Sequence, residues 1–207
     1  MTEGPRIAVL DYEIGNLRSA QKALQHVGAD AVLTADPDEV AAAAGVVLPG
    51  VGAFGPCMDA IERAGLDVVA RAAVDSGRPF LGICIGLQLL YEGSDEDPGR
   101  PGLGILEGTV RRLPAGVKHP QMQWNVLDVV RPSALLHGIP DPAWVYFVHS
   151  YAPEENDNVV ATCEYGGPVV AAVEYGNVSA TQFHPEKSGA VGLGVLAAFV
   201  ERCSVSV

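Results

Sequence analysis

"RPFLGICIGLQLLYEG", residues 78–93, is the stretch whose reading decides the fold. An apolar run ends at Gly82, a cysteine follows with a glycine two residues to either side, and a second apolar run, Leu87 to Leu90, begins at once. The first run reads as a strand over 78–84 and the second as a helix over 85–93. A nucleophile at the centre of such a strand-to-helix turn needs a tight, strained backbone. Side chains two residues before and after it would clash, and glycine at 82 and 86 avoids this. The turn exposes the Cys84 thiol at the N-terminus of the next helix, where the helix dipole favours the thiolate. The N–H of Ile85 would then point at a developing oxyanion. Free cysteine is also among the most buried residue types, so by itself the same framing reads equally well as core packing.

Before this junction, short β-branched runs alternate with helical patterns. Strands are predicted over 6–12, 31–35 and 45–50, and helices over 15–28 and 36–44. Asp36 is a candidate N-cap with Pro37 at the first helical position, and 55–77 holds one broken helix or two joined ones. This rhythm implies a parallel sheet with helices on both faces. After the polar Gly/Pro-rich loop 94–104, strand-like runs dominate: 105–113, 122–130, 143–151, 158–165, 168–176 and 178–184. Gly166-Gly167 and Gly176-Asn177 read as hairpin turns, so the second half extends the sheet in antiparallel fashion. A last helix over 189–203 places Val191, Val195, Ala198 and Phe199 on one face. The expectation is one α/β domain spanning 1–207: a central, mostly parallel sheet flanked by helices, with an antiparallel extension in the second half.

Composition narrows the class of function. The 207 residues are 48% hydrophobic and 18% charged, which marks a globular chain. A net charge of −12 repels phosphate backbones and argues against a nucleic-acid ligand. No window approaches the ~18 uninterrupted apolar residues of a membrane span. No apolar segment follows a basic start, so no secretory leader is expected. Cys57, Cys84, Cys163 and Cys203 are irregularly spaced with no C-x-x-C pair, which argues against a zinc ribbon or a dense disulfide framework. A reducing, cytoplasmic setting with no metal is the expectation.

A thiolate nucleophile for acyl transfer needs a histidine, and the histidine needs an orienting partner. His26 falls on the polar side of a helix, His119 lies in a loop before Pro120, and His137 sits at a turn beside Gly138. His149 ends an apolar strand and is either a core or a site residue. His184 ends "VSATQFH" and precedes Pro185-Glu186. Pro185 biases His184 toward an extended backbone, and residues two apart in extended chain share a side, so Glu186 can lie beside the ring. On its own, "HPE" reads more readily as a surface turn than as a site. A parallel sheet, however, gathers the C-terminal ends of its strands at one edge, and so brings 84 and 184 together. The loop "LPGVGAFG", 48–55, lets backbone N–H groups turn toward an anion, although it is not a Walker A pattern.

Taken together, "PGVGAF" (49–54), "LGICIGLQLL" (81–90) and "FHPEKS" (183–188) resemble the class I, triad-type glutamine amidotransferases, in order and approximate separation over nearly the whole chain. "LDYEIGNLRS", "QMQWN", "FVHSY" and "FHPEKS" make it look like the branch that supplies the glutaminase subunit of imidazole glycerol phosphate synthase in histidine biosynthesis. The resemblance implies a flavodoxin-like fold and hydrolysis of L-glutamine to glutamate and ammonia without a cofactor. It assigns Cys84 as nucleophile, His184 as general base and acid, and Glu186 as orienter. It puts the oxyanion site at Val51, Gly52 and Ile85, and glutamine recognition at Gln88, Ser150 and Tyr151. It further implies delivery of the ammonia to a (β/α)8-barrel cyclase subunit, with Asn16, Arg18 and Lys187 at the interface. One departure stands out: where the branch suggests "PHMGWN", this chain has Pro120-Gln121-Met122-Gln123-Trp124-Asn125. The alternatives are a glutaminase subunit serving anthranilate or pyridoxal phosphate synthesis, a γ-glutamyl hydrolase or related cysteine peptidase, and a regulatory module with a vestigial triad.

Overall fold

The computed structural model describes residues 4–205. In its first half, strands Arg6–Leu10 (β1), Asp30–Thr34 (β2), Gly45–Leu48 (β3) and Phe80–Ile83 (β4) alternate with helices Leu17–His26 (α1), Pro37–Ala42 (α2), Phe54–Arg63 (α3), Leu66–Asp75 (α4) and Ile85–Leu89 (α5). Successive strand residues face opposite sides. Ile7, Val9, Val47, Leu81 and Ile83 therefore enter one core, while Ala8, Leu10, Val46, Leu48 and Phe80 enter the other. Strands buried on both faces read as the continuous apolar runs seen in the sequence. Asp36 caps α2 by accepting from the Asp38 N–H at 2.8 Å, with Pro37 at the first position. The 55–77 region is two helices, parted at Gly65, whose φ of 69° suits glycine.

The second half contributes strands Gly93–Ser94 (β5), Thr109–Arg112 (β6), Gln121–Val126 (β7), Asp128–Val129 (β8), Trp144–His149 (β9), Tyr151–Pro153 (β10), Val159–Glu164 (β11), Pro168–Tyr175 (β12) and Val178–Thr181 (β13), then helix Gly189–Val205 (α6). The eight-stranded main sheet runs β2-β1-β3-β4-β13-β12-β11-β8. Its first five strands are mutually parallel and the last three pair antiparallel. The sequence-based fold class thus matches the structure. Tyr175 pairs with Val178 across a two-residue Gly176-Asn177 turn, and β11 and β12 join through Gly166-Gly167.

Four segments differ from expectation, each for a non-local reason, and so does the buried face of the last helix. Helix α5 stops at Leu89 because the carbonyls of Leu89, Leu90 and Tyr91 accept from Leu103, Ile105 and Gly104 instead of extending the helix. The same bonds hold 105–106 out of a strand, so only 109–112 of the predicted 105–113 run is extended. The run 122–130 splits at Leu127, and 143–151 splits at Ser150, because each half pairs in a different sheet: β7 with β9, β8 with β11, and β10 with β6. Strands change sheets at such bends. On α6 the buried stripe is Gly192, Val195, Leu196, Phe199, Val200 and Cys203, so Leu196 takes the place predicted for Ala198.

Helix α6 packs on the single 3-10 turn Pro185–Lys187 that follows β13, and this contact positions the 184–186 segment. A Cβ added at Gly192 would collide with the Pro185 carbonyl. Alanine favours helix over glycine by about 1 kcal/mol, whereas overpacking costs roughly 1–3 kcal/mol. Gly192→Ala is therefore expected to destabilise the protein in urea unfolding; a midpoint equal to or above that of the parent would contradict the packing described.

Candidate active site

Cys84 lies between β4 and α5 with φ 55° and ψ −108°, one of two non-glycine residues at positive φ in the described chain. Such a backbone costs on the order of 1–3 kcal/mol and persists only where its surroundings over-determine it. Here its N–H donates to the Thr181 carbonyl of the neighbouring β13 at 2.7 Å. A Cβ at Gly82 would stand 2.9 Å from the Gly86 carbonyl oxygen, and one at Gly86 would run into the Leu48 carbonyl at the end of β3. The first constraint is local to the turn. The second comes from an adjacent strand and also sets the next loop, 49–52, beside the cysteine.

His184 follows β13 with an extended backbone and is 1% exposed. Its Nδ1 lies 2.8 Å from Glu186 Oε1. Its Nε2 is buried with no hydrogen-bond partner, which leaves it available to exchange a proton with Cys84. Burial disfavours the charged ring, but the Cys84 thiol and the Glu186 carboxylate outweigh it and push the imidazole up to about 9. His149 has the opposite environment. Burial pushes it down to about 4, assisted by His184 and only partly offset by its Nδ1 contact of 2.8 Å to the Tyr151 carbonyl. His149 is therefore neutral, with Nδ1–H donating and a buried, unpartnered Nε2 lone pair.

These groups share one cavity of about 240 Å³, lined by Val51, Gly52, Cys84, Gln88, Glu96 and His184 among others. Ile85, His149, Ser150 and Tyr151 also line it. Asn16, Arg18 and Lys187 do not; all three are exposed. A larger groove of about 980 Å³, between α6 and the 132–137 loop, contains none of the candidate site residues. Among the described residues no group of three or more His, Cys, Asp or Glu side chains is placed to hold a metal ion, and no helix is long and apolar enough to cross a membrane.

The glycine loop is held at two points. Tyr12 Oη donates to the Pro49 carbonyl at 2.7 Å, and the Cys57 thiol reaches the Val51 carbonyl at 3.7 Å. Burial keeps the Tyr12 hydroxyl protonated and, with Glu96 and Cys84, pushes Cys57 up to about 11. Both are therefore donors at neutral pH. Between them the Gly50–Val51 peptide is engaged by no hydrogen bond among the described residues. Ile85 opens α5, and the first N–H groups of a helix have no partner within it. Ile85 and the Val51–Gly52 backbone thus border the same cavity as the thiol.

Two residues at the cavity and the thiol, Glu96 and Gln182, escaped the sequence reading. Glu96 accepts from the Phe54 N–H at 2.8 Å and is the acidic group of the cavity lining. In "SDEDPGR" it cannot be told from Asp95 and Asp97. Gln182 is fully buried and places Nε2 3.7 Å from Cys84 Sγ. Gln88 gives both amide hydrogens to the protein, at the Tyr151 carbonyl (2.9 Å) and Gln182 Oε1 (3.0 Å), so it offers a ligand its acceptor oxygen.

The sequence model described as glutamine amidotransferase class-I matches residues 8–202. The chain is 52% identical over 196 residues, 94% of its length and 98% of the relative's, to the imidazole glycerol phosphate synthase subunit HisH of Methanothermobacter thermautotrophicus. It is 48% identical to the HisH subunit of Symbiobacterium thermophilum over 93% of this chain and 92% of that one. Its fold resembles a crystal structure described as a glutamine amidotransferase, with TM-score 0.76 at 22% identity over 96% of this chain and 98% of the other.

The ring environments predict opposite pH effects. Folding raises His184 from 6.5 to about 9, so its contribution to stability is complete below pH 6.5 and is lost as pH rises through 9. Folding lowers His149 from 6.5 to about 4, so its contribution is complete above pH 6.5 and is lost as pH falls through 4. An NMR titration of the imidazole C–H signals is expected to give a His184 midpoint near 9 that drops in Glu186→Gln. An unmoved midpoint would show that the carboxylate does not act on the ring.

Proposed function

The chain belongs to the class-I glutamine amidotransferases, and within them to the HisH subunits of imidazole glycerol phosphate synthase, and on that basis we propose how its residues divide the work. Membership decides between the pathways left open by the sequence: the protein is the glutaminase subunit that serves histidine biosynthesis. We read residues 1–207 as one catalytic domain acting in the cytoplasm, a reading supported by the family match over 8–202 and by four buried free cysteines.

One observation carries the assignment of roles: the strained Cys84 shares a cavity with a His184 whose Nδ1 is held by Glu186 and whose Nε2 has no partner. The Cys84 thiolate attacks the carboxamide carbon of L-glutamine, and the N–H groups of Ile85 and the Val51–Gly52 segment hold the oxyanion. Protonated His184, favoured by Glu186, gives its Nε2 proton to the nitrogen as the C–N bond breaks and ammonia leaves. Neutral His184 then takes a proton from water as it attacks the γ-glutamyl thioester, which releases glutamate and restores the thiolate–imidazolium pair. Glu96 is the counter-charge suited to the α-ammonium, and the Gln88 acceptor oxygen suits the carboxamide NH2. Ser150 and Tyr151 bound the same cavity.

Ammonia released into water would be protonated and lost, so the product passes to the (β/α)8-barrel cyclase subunit. Met122 and Trp124 of β7 are exposed beside the cavity rim at Pro120 and, with Asn16, Arg18 and Lys187, form the surface we assign to that partner. The unengaged Gly50–Val51 peptide is the element free to turn, and the β-branched Val51 resists that turn until the partner docks. Loss of one oxyanion donor costs about 10²–10³ in rate, which sets the scale of activation expected.

In the reconstituted synthase, Cys84→Ala is expected to abolish glutamine-dependent cyclisation while sparing activity with ammonium salt; loss of both would contradict the division of labour. His184→Ala is expected to lower the glutaminase rate by about 10²–10⁴-fold. Adding the cyclase subunit is expected to raise the glutaminase rate of the chain by about 10²–10³-fold; a chain fully active alone would overturn the gating.

A further inference from the structure

The Tyr151 carbonyl sits at the start of a chain of buried amides that ends on the nucleophile. A carbonyl can only accept, and this one takes His149 Nδ1–H at 2.8 Å and Gln88 Nε2–H at 2.9 Å, filling both lone pairs. The Gln88 amide is thereby fixed in direction. Its second hydrogen goes to Gln182 Oε1 at 3.0 Å, which must be the oxygen end because only oxygen accepts. Gln182 therefore has its NH2 end turned to Cys84 Sγ at 3.7 Å. Gln88 and Gln182 are 3% and 0% exposed, so water does not compete for these bonds. The Gln182 backbone is also held, its N–H donating to the Ala171 carbonyl at 2.8 Å.

We propose that Gln182 is a further catalytic residue: its amide N–H, oriented by Gln88 and the Tyr151 carbonyl, holds the Cys84 sulfur in its thiolate form. The sulfur lies between an acceptor and a donor. The neutral thiol directs its S–H toward the Val148 carbonyl at 4.0 Å, and the thiolate accepts from Gln182. A hydrogen bond to an ionised group is stronger than one to its neutral form, so the amide favours the reactive state. Because the chain begins in the strand segment that bounds the substrate cavity, the polarity at the nucleophile is set by the backbone that frames glutamine. Gln88 and the Tyr151 carbonyl act through Gln182 and are positioning groups.

The inference rests on Cys84 as nucleophile, and the test separates the two. In the complex with the cyclase subunit, alkylation of Cys84 by iodoacetamide is followed by peptide mass mapping across pH, alongside glutaminase kinetics. Gln182→Met keeps the volume without the donor, and Gln182→Glu keeps the shape and replaces the donor by an acceptor. A charge-assisted bond of about 1.5–3 kcal/mol corresponds to a fall in kcat of roughly 10–100-fold, with KM for glutamine within about twofold. The alkylation midpoint moves to higher pH in both variants, further in Gln182→Glu. An unmoved alkylation profile, or kcat equal to the parent's in a folded variant, overturns the role of Gln182. Glutaminase activity persisting in Cys84→Ala overturns instead the assignment on which it rests.

Discussion

The contact between the Leu48 carbonyl and the Cα of Gly86 is the constraint on which the rest of the site depends. It presses the end of β3 against the start of α5, leaving no room for a side chain between them. The turn must then be completed within Cys84 itself, at a φ of 55° that an L-residue rarely adopts. Three supports offset the strain: the space left by Gly82, the bond from the Cys84 N–H to Thr181, and burial of the apolar residues on either side. The same contact places the loop after β3 beside the thiol. The positions of the thiol we propose as nucleophile and of the loop we propose for the oxyanion therefore both follow from one close approach.

Chemistry at the site is divided by environment rather than by residue type. Two histidines border one small cavity, and one is held up to about 9 while the other is held down to about 4. Both are desolvated. The difference is that His184 has a carboxylate and a thiol acting on its ring, and His149 has a backbone carbonyl and a neighbouring imidazolium. A cationic acid and a neutral acceptor thereby coexist within the same walls. The second glycine-framed element, the 49–52 loop, is held by Tyr12 and Cys57 at the carbonyls flanking the free Gly50–Val51 peptide. That peptide unit is the part of the loop left without a hydrogen bond among the described residues.

What the sequence disclosed follows the range of each interaction. The alternation of β1 to β4 with α1 to α4 was legible because burial of alternate strand residues and of helix stripes is written in local periodicity. The role of Gly82 was legible for the same reason, since its clash is with the turn it belongs to. The constraint on Gly86 comes from β3 and was not. The breaks at Leu127 and Ser150 were invisible because they are set by which sheet each half joins. Gln88, Ser150 and Tyr151 entered only by family resemblance. Glu96 and Gln182 entered by neither route: one is hidden among adjacent acids, and the other reads as a polar residue in an apolar strand. Only the fold shows that Glu96 caps the start of α3 at the cavity and that Gln182 faces a sulfur.

Of the four cysteines, Cys84 alone lines the small cavity and is the thiol we propose to react with glutamine. Incubation of the parent protein, with its cyclase partner, with an electrophilic glutamine analogue, followed by mass mapping of every cysteine, tests it most directly. One adduct is expected, on Cys84, blocked by excess L-glutamine, with none on Cys57, Cys163 or Cys203, which are 0–1% exposed. An adduct on one of those three, or labelling of Cys84 that glutamine does not slow, would contradict it.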